Sequence, residues 1–173
     1  HIGSTTFDRQ NFIKLNKSYS DIILTEEPYK GIRCTEELLD KVRKEYPDML
    51  VVAFMMNEEE IIEAYKAPFV YVASDGILNR GQGHPRAAGT FPRVLGKFVR
   101  EDKQLEFIEA LRKMTLLPAH RLGLRNKGDI KPGMDGDITI FNPDTIIDNA
   151  TFEEPIKAPT GVEYVIINGK IAL

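Results

Sequence analysis

Three short apolar runs alternate with two predicted helices in the first part of the chain. The runs cover residues 21–24, 49–56 and 69–73, and each is followed by turn-forming or helix-capping residues. A strand that is apolar along its whole length is typical of a sheet covered on both faces. Alternation of strands and helices favours right-handed βαβ units, so we predict an α/β fold built on a parallel sheet.

Two capping signals mark the helices between these runs. Thr35 is a suitable N-cap, and Pro47 ends the helix that follows it. Asn57 can cap a second helix whose acidic first turn suits the helix dipole, and this helix must end before Pro68. The apolar residues of the first helix fall at helical spacing: Leu38, Leu39, Val42 and Tyr46.

The remainder of the chain changes from helices to strands. Residues 77–90 are rich in glycine and predict a loop, which is followed by helices over 91–100 and 104–117. We expect Pro118 to separate the second of these helices from a short segment that ends at Gly123.

Alternating apolar residues predict strands over 137–141 and 162–167, and Asn168-Gly169 is a strong hairpin signal before 170–173. We therefore place a domain boundary after residue 124, which gives domains of residues 1–124 and 125–173.

Composition narrows the class of protein. Of 173 residues, 42% are hydrophobic, which is enough for a real core. A net charge of -3 gives no basic field for nucleic acid or an anionic membrane. The single cysteine, Cys34, excludes an internal disulfide. No apolar run has the length of a membrane span and no signal segment opens the chain, so we expect a soluble, cytoplasmic protein.

Asp75 is the sharpest candidate for chemistry. It follows the apolar run 69–73, within Ala73-Ser-Asp-Gly76. Ligands and catalytic groups gather at the C-terminal ends of parallel strands. A carboxylate there could bind a metal or carry a proton, but Asp-Gly is also common in turns, and the pattern alone favours an Asx turn.

The loop Gly81-Gln-Gly-His-Pro-Arg86 holds the other candidates. It fails as a dinucleotide motif, because Arg86 stands where a third glycine belongs and Pro85 does not suit the helix start that the motif requires. Arg86 and Arg93 could bind a carboxylate or phosphate, or could be solvated surface residues. His84 could be a ligand or a proton carrier, although one histidine beside one carboxylate falls short of a zinc site.

A series of motifs runs in order between residues 73 and 169. It comprises Ala73-Ser-Asp-Gly76, His84-Pro-Arg86, Gly89-Thr-Phe-Pro-Arg-Val-Leu-Gly96, Ala110-Leu-Arg-Lys-Met-Thr115, Pro118-Ala119, Arg121-Leu-Gly-Leu124, Gly128 to Gly133, Asp137-Ile-Thr-Ile-Phe141, Asn142-Pro-Asp-Thr145 and Glu163-Tyr-Val-Ile-Ile-Asn-Gly169. Together these motifs resemble the C-terminal part of D-aminoacylases, the N-acyl-D-amino-acid deacylases of the amidohydrolase superfamily. The resemblance covers about residues 50–173, and residues 1–48 resemble the family only loosely.

This resemblance implies a distorted TIM barrel with a metal centre, usually zinc, and a small β-sandwich. It implies hydrolysis of N-acyl-D-amino acids, in which metal-bound hydroxide attacks the acyl carbonyl and an aspartate shuttles the proton. By the resemblance, that aspartate is Asp75, which is also the candidate metal ligand of this chain. Arg86 then binds the α-carboxylate of the substrate, and His84 lines the same pocket.

The chain departs from the family pattern because it lacks the N-terminal histidine ligands, including a His-x-His motif. A closed barrel takes typically about 250 residues. We therefore expect the last βα units of an incomplete barrel, followed by strands of the β-sandwich. Zinc is expected in the complete enzyme, with none bound tightly by this chain alone, and the isolated chain is expected to be inactive.

Two other functions stay open from the sequence. The chain could be a non-catalytic truncated domain that acts as an association or oligomerisation module. Open strand edges and uncovered apolar faces favour such pairing, either with a second copy or with the missing half. The weaker alternative is a small anion-binding module built on Arg86 and Arg93.

Overall fold

The computed structural model describes all 173 residues. They group into two compact units, and each is described by itself. The first unit comprises residues 1–57, 75–87 and 150–157, and the second comprises residues 58–74, 88–149 and 158–173.

The N-terminal half contains short helices and short strands. Single 3₁₀ turns cover Thr5–Phe7 and Tyr19–Asp21. The α-helices are α1 (Arg9–Lys14), α2 (Glu36–Glu45) and α3 (Glu58–Lys66). The strands are β1 (Ile22–Leu24), β2 (Val51–Ala53), β3 (Leu78–Asn79) and β4 (Gln82–Gly83).

The C-terminal half begins with a continuous helical stretch and ends in a sheet. The helices are α4 (Arg86–Arg93), a π-helix (Val94–Glu101), α5 (Phe107–Met114) and α6 (Leu116–Arg121). The strands β5 (Ile138–Phe141), β6 (Val162–Ile167) and β7 (Lys170–Ile171) form a three-stranded antiparallel sheet in that order. Asn168 and Gly169 both have positive φ in the turn between β6 and β7, as the hairpin signal predicts.

The predicted parallel pairing of the first two strands is wrong. β1 and β2 are antiparallel, with Ile22 opposite Ala53 and Leu24 opposite Val51. The chain reverses directly after β1, so that the Cys34 amide bonds to the carbonyl of Ile22 before α2 begins. Because α2 therefore begins beside the N-terminal end of β1, the strand after α2 enters the sheet in the opposite direction.

The apolar run 69–73 does not form the predicted strand. Val72 is buried, but Phe69 is 78% exposed, and the Val72 amide bonds to the carbonyl of Lys113 rather than to a neighbouring strand. A strand requires a ladder of partners on an adjacent strand. The run 49–56 likewise forms only the three residues of β2, and Met56 at its end is 72% exposed.

Two helix boundaries also differ from the prediction. α4 begins at Arg86, directly after Pro85, because proline is well tolerated in the first turn of a helix. The break between α5 and α6 falls at Thr115, whereas Pro118 lies inside α6. Ala110 and Lys113 are the buried residues of α5, and Ile108 is 64% exposed.

Each unit has its own apolar core. In the first unit β1, β2 and α2 enclose a cluster of Ile2, Phe7, Phe12, Ile22, Leu24, Cys34, Leu39, Val42 and Met49. Thr35 caps α2 by accepting a hydrogen bond from the Leu38 amide, as predicted. In the second unit the core comprises Val72, Val94, Leu95, Phe98, Leu105, Ala110 and Ile146. None of the helices has the length and apolar character that a membrane crossing requires.

Candidate active site

Asp75 lies in an irregular segment of the first unit, residues 75–77, directly before β3, which we call the Asp75 loop. Its φ of 45° is in the left-handed region, which aspartate tolerates better than most residues. The next residue, Gly76, packs so closely on α4 that a Cβ atom there would lie 2.5 Å from the Cα of Ala87. The Asp75 side chain, which is 79% exposed, therefore lies beside the first turn of α4.

Arg86 binds Asp75 with two different nitrogen atoms. Its Nη2 lies 2.7 Å from Oδ2 of Asp75, and its Nε donates to the Asp75 carbonyl oxygen at 2.9 Å. The planar fork of a guanidinium suits such paired acceptors. Because the two side chains are 41% and 79% exposed, this ion pair contributes little to stability and remains accessible to a small molecule.

His84 lies at the start of α4 and serves as its cap. Its Nδ1 accepts a hydrogen bond from the Arg86 amide at 3.0 Å, and its carbonyl accepts one from the Ala87 amide at 3.1 Å. The imidazole packs edge-on against Phe152, with ring centroids 5.4 Å apart. Burial, together with the nearby Arg86 charge, lowers the pKa of His84 from 6.5 to about 4.

The three predicted site residues therefore lie in one place, and Arg86 bonds both to Asp75 and to His84. His84 is neutral at physiological pH, with Nδ1 acting as an acceptor. Asp75 supplies the carboxylate among the three side chains.

A complete metal site is absent from the chain. No three side chains of histidine, cysteine, aspartate or glutamate lie close enough together to hold a metal ion. Zinc in proteins takes four ligands in structural sites and three in catalytic sites. The Asp75 carboxylate suits the role of one such ligand, because it is exposed on the Asp75 loop, and the other ligands would have to come from outside this chain.

The remaining candidate residues, Arg93, Cys34 and His120, do not belong to this group of three. Arg93 pairs with Asp148 in the second unit at 3.1 Å, and Asp148 is only 11% exposed. Cys34 is buried, and burial raises the pKa of its thiol to about 11, which leaves it unreactive. His120 is exposed near the end of α6.

Lys113 is the important residue that the sequence reasoning missed. It is fully buried in α5, and its Nζ donates to the carbonyl oxygens of Ala67 at 2.5 Å and Val70 at 2.9 Å. Buried lysines are rare unless they are paired or hydrogen-bonded. The available signal was its spacing, because Lys113 lies three residues after the buried Ala110 and therefore on the same helix face.

The fold and the exposed pair of Asp75 and Arg86 define an α/β protein with a carboxylate beside a guanidinium. Comparison with known proteins identifies the family. The model of the Amidohydrolase family matches residues 59–173. N-acyl-D-glutamate deacylase from Alcaligenes xylosoxydans xylosoxydans is 40% identical over 118 residues, which are 68% of this chain and 24% of that protein.

Solved structures show the same likeness. The structure of N-acyl-D-glutamate deacylase from Bordetella bronchiseptica, complexed with zinc and a phosphonate mimic of the tetrahedral intermediate, is 32% identical with a TM-score of 0.80. It is matched over 90% of this chain and 35% of its own. A D-aminoacylase studied for its binuclear metal centre is 30% identical with a TM-score of 0.80, over 94% and 36% of the two chains.

This chain belongs to the amidohydrolase family, because the family model covers most of it. The relatives are hydrolases named for the deacylation of N-acyl-D-amino acids. The chain spans about a quarter of the length of these relatives. Asp75, His84 and Arg86 all lie within the matched region.

Proposed function

We propose that this chain is the C-terminal part of a metal-dependent amidohydrolase that removes the acyl group from N-acyl-D-amino acids. The observation that carries the proposal is the 2.7 Å contact between Arg86 Nη2 and Asp75 Oδ2. It brings a carboxylate-binding cation and a proton-carrying carboxylate together within the region matched to deacylases. The relatives named for N-acyl-D-glutamate and N-acyl-D-aspartate support this substrate class.

Arg86 would bind the α-carboxylate of the substrate through its guanidinium, which carries five N–H donors, so that the contacts of Nε and Nη2 with Asp75 can persist. Since Asp75 is its immediate neighbour, a substrate held there has its amide bond beside the Asp75 carboxylate. Asp75 takes a proton from the attacking water and delivers it to the leaving nitrogen. The C–N bond breaks, the hydroxyl stays on the acyl carbon, and the products are a carboxylate and a free D-amino acid.

Zinc belongs to this proposal as a component of the complete protein. It would supply a Lewis acid that activates water and polarises the acyl carbonyl. Of its ligands, this chain offers the Asp75 carboxylate. A zinc-complexed relative supports this choice of metal. We further propose that residues 1–124 are the last βα units of a TIM-like barrel and that residues 125–173 are strands of a β-sandwich.

A chimera provides the test of this function. Residues 59–173 would replace the matching segment of the Alcaligenes N-acyl-D-glutamate deacylase, to which the chain is 40% identical. We expect the zinc-loaded chimera to release D-amino acid from an N-acetyl-D-amino acid, and the isolated chain to release none. A folded chimera without activity would contradict the proposal, as would activity that persists after zinc is removed.

A non-catalytic association module is the second candidate function. The sheet β5–β7 carries Ile140, Tyr164 and Ile171 on one face, because Ile140 lies opposite Tyr164 and Ile171 lies opposite Ile166. These three side chains are 42%, 47% and 70% exposed. Contiguous exposed apolar side chains mark interaction surfaces.

A further inference from the structure

The start of α4 ties His84 to Arg86 through the main chain. The Arg86 amide would have no partner within the helix, because it belongs to the first turn. Nδ1 of His84 accepts its hydrogen at 3.0 Å, and the His84 carbonyl accepts from the Ala87 amide. The side chain and main chain of His84 therefore accept from the first two amides of α4, and Pro85, which has no N–H, needs no partner there.

Arg86 is consequently held at both ends. His84 fixes its amide, and Asp75 receives its guanidinium through Nε at 2.9 Å and Nη2 at 2.7 Å. A long arginine side chain loses much rotamer entropy when it is fixed. Anchoring the Arg86 amide removes part of the remaining rotamer freedom of its side chain, because the helix start determines the direction in which the side chain leaves the backbone.

The imidazole is itself held in orientation. Phe152 lies edge-on to it at 5.4 Å between centroids, an arrangement favoured between rings. Nδ1 can accept from an amide only as the unprotonated nitrogen, so the ring hydrogen belongs to Nε2. The position of His84 is therefore determined by Phe152 on the ring and by Arg86 at Nδ1.

We propose that His84 is a positioning residue for Arg86, not a residue that contacts the substrate. This inference rests on the proposed function, since it assigns to Arg86 the binding of the α-carboxylate. His84 acts through the first turn of α4: its Nδ1 holds the Arg86 amide, so that the guanidinium is already directed towards the carboxylate site before the substrate arrives.

Two variants separate the two contacts of His84. His84→Phe keeps an aromatic ring against Phe152 and removes the acceptor, whereas His84→Asn keeps a short acceptor at the cap and removes the ring. In the zinc-loaded chimera we expect His84→Phe to raise KM about tenfold for a substrate with a free α-carboxylate. We expect kcat to change by less than about threefold, and His84→Asn to restore most of the KM.

The control substrate is the same compound with a primary amide in place of the α-carboxylate. His84→Phe should leave its KM unchanged, because Arg86 has no carboxylate to bind. An equal rise in KM for both substrates would overturn the proposal, because it would indicate a general structural loss. A fall in kcat at constant KM would overturn it too, because it would indicate that His84 takes part in the chemistry.

A second measurement needs no activity and uses the 173-residue chain itself. NMR of the labelled imidazole should show the hydrogen on Nε2, and amide exchange at Arg86 should be slow in the wild type and faster in His84→Phe. A hydrogen on Nδ1, or equal exchange rates, would contradict the positioning role whatever the chimera does. An inactive chimera with the expected spectra would instead contradict the proposed function and leave the contact of His84 with Arg86 established.

Discussion

At the scale of single residues, the site depends on a contact between Asp75 and Arg86, eleven positions apart in sequence. The sequence supplies both residues as candidates, and the resemblance supplies their roles. It does not supply their hydrogen bonds, because these depend on how the hairpin β3–β4 folds the chain back. The sequence also does not predict the role of His84 as a helix cap, since a histidine before a proline is not a usual capping signal.

Lys113 gives the first prediction at this scale. Replacing it by Met keeps the buried stem but leaves the carbonyl oxygens of Ala67 and Val70 without their donor. We expect Lys113→Met to lower the free energy of unfolding by about 2 kcal/mol or more. The exposed Lys170 provides the control, and Lys170→Met should change this free energy by less than about 0.5 kcal/mol. Denaturant unfolding checks both, and equal stability of the two variants would contradict the account.

The second residue-scale prediction concerns pH. Since folding lowers the pKa of His84 from 6.5 to about 4, the unfolded chain binds the proton more readily. The stability linked to His84 is therefore complete above pH 6.5 and is lost as the pH falls from 6.5 to about 4. We expect His84→Asn to flatten this part of the stability profile and His120→Asn to leave it unchanged. Thermal unfolding across this range measures both, and parallel profiles for wild type and His84→Asn would refute the assignment.

At the scale of elements, features that depend on neighbouring residues are predicted correctly, whereas the pairing of distant strands is not. The cap at Thr35 and the turn at Asn168-Gly169 depend on neighbouring residues, and the structure confirms both. The strand predicted over 69–73 is absent, because an apolar run becomes a strand only where another strand pairs with it. The predicted parallel pairing of β1 and β2 is wrong because the chain after β1 returns alongside that strand before α2 begins, and the sequence pattern does not specify where the turn leads.

Gly76 provides a prediction at the scale of the Asp75 loop and α4. A Cβ atom on residue 76 would lie 2.5 Å from the Cα of Ala87, so Gly76→Ala must push this loop away from α4. We expect a loss of about 1–3 kcal/mol in stability and a weaker contact between Asp75 and Arg86. Gly123→Ala is the control, because its φ of 70° causes strain but no atom lies within 4 Å. A smaller loss for Gly76→Ala than for Gly123→Ala, measured by denaturant unfolding, would be inconsistent with the close contact.

At the scale of the whole molecule, the chain spans about a quarter of the length of its curated relatives. Its two units each have a core, yet many large apolar side chains are exposed, among them Phe69 at 78% and Ile130 at 81%. Such exposure is unusual for a self-sufficient domain and favours association.

We therefore predict that the isolated chain self-associates through the exposed face of the sheet β5–β7. Replacing Ile140 and Ile171 by Lys puts charges on that face, and we expect sedimentation to shift towards the monomer. The same substitution at Ile130, outside this sheet, should leave the distribution unchanged. A wild-type chain that sediments as a monomer and binds little hydrophobic dye would rule out this mode of association.

The measurement that bears most directly on the proposed function is the turnover of an N-acetyl-D-amino acid by the zinc-loaded chimera carrying Asp75→Asn. This change keeps the shape of the side chain and removes the proton carrier. We expect kcat to fall by about 10²–10⁴-fold, whereas Asp144→Asn, at an exposed residue outside the site, should change it by less than about twofold. If Asp75→Asn retains the turnover of the Asp144→Asn control, Asp75 is not the proton carrier and the proposed site is wrong.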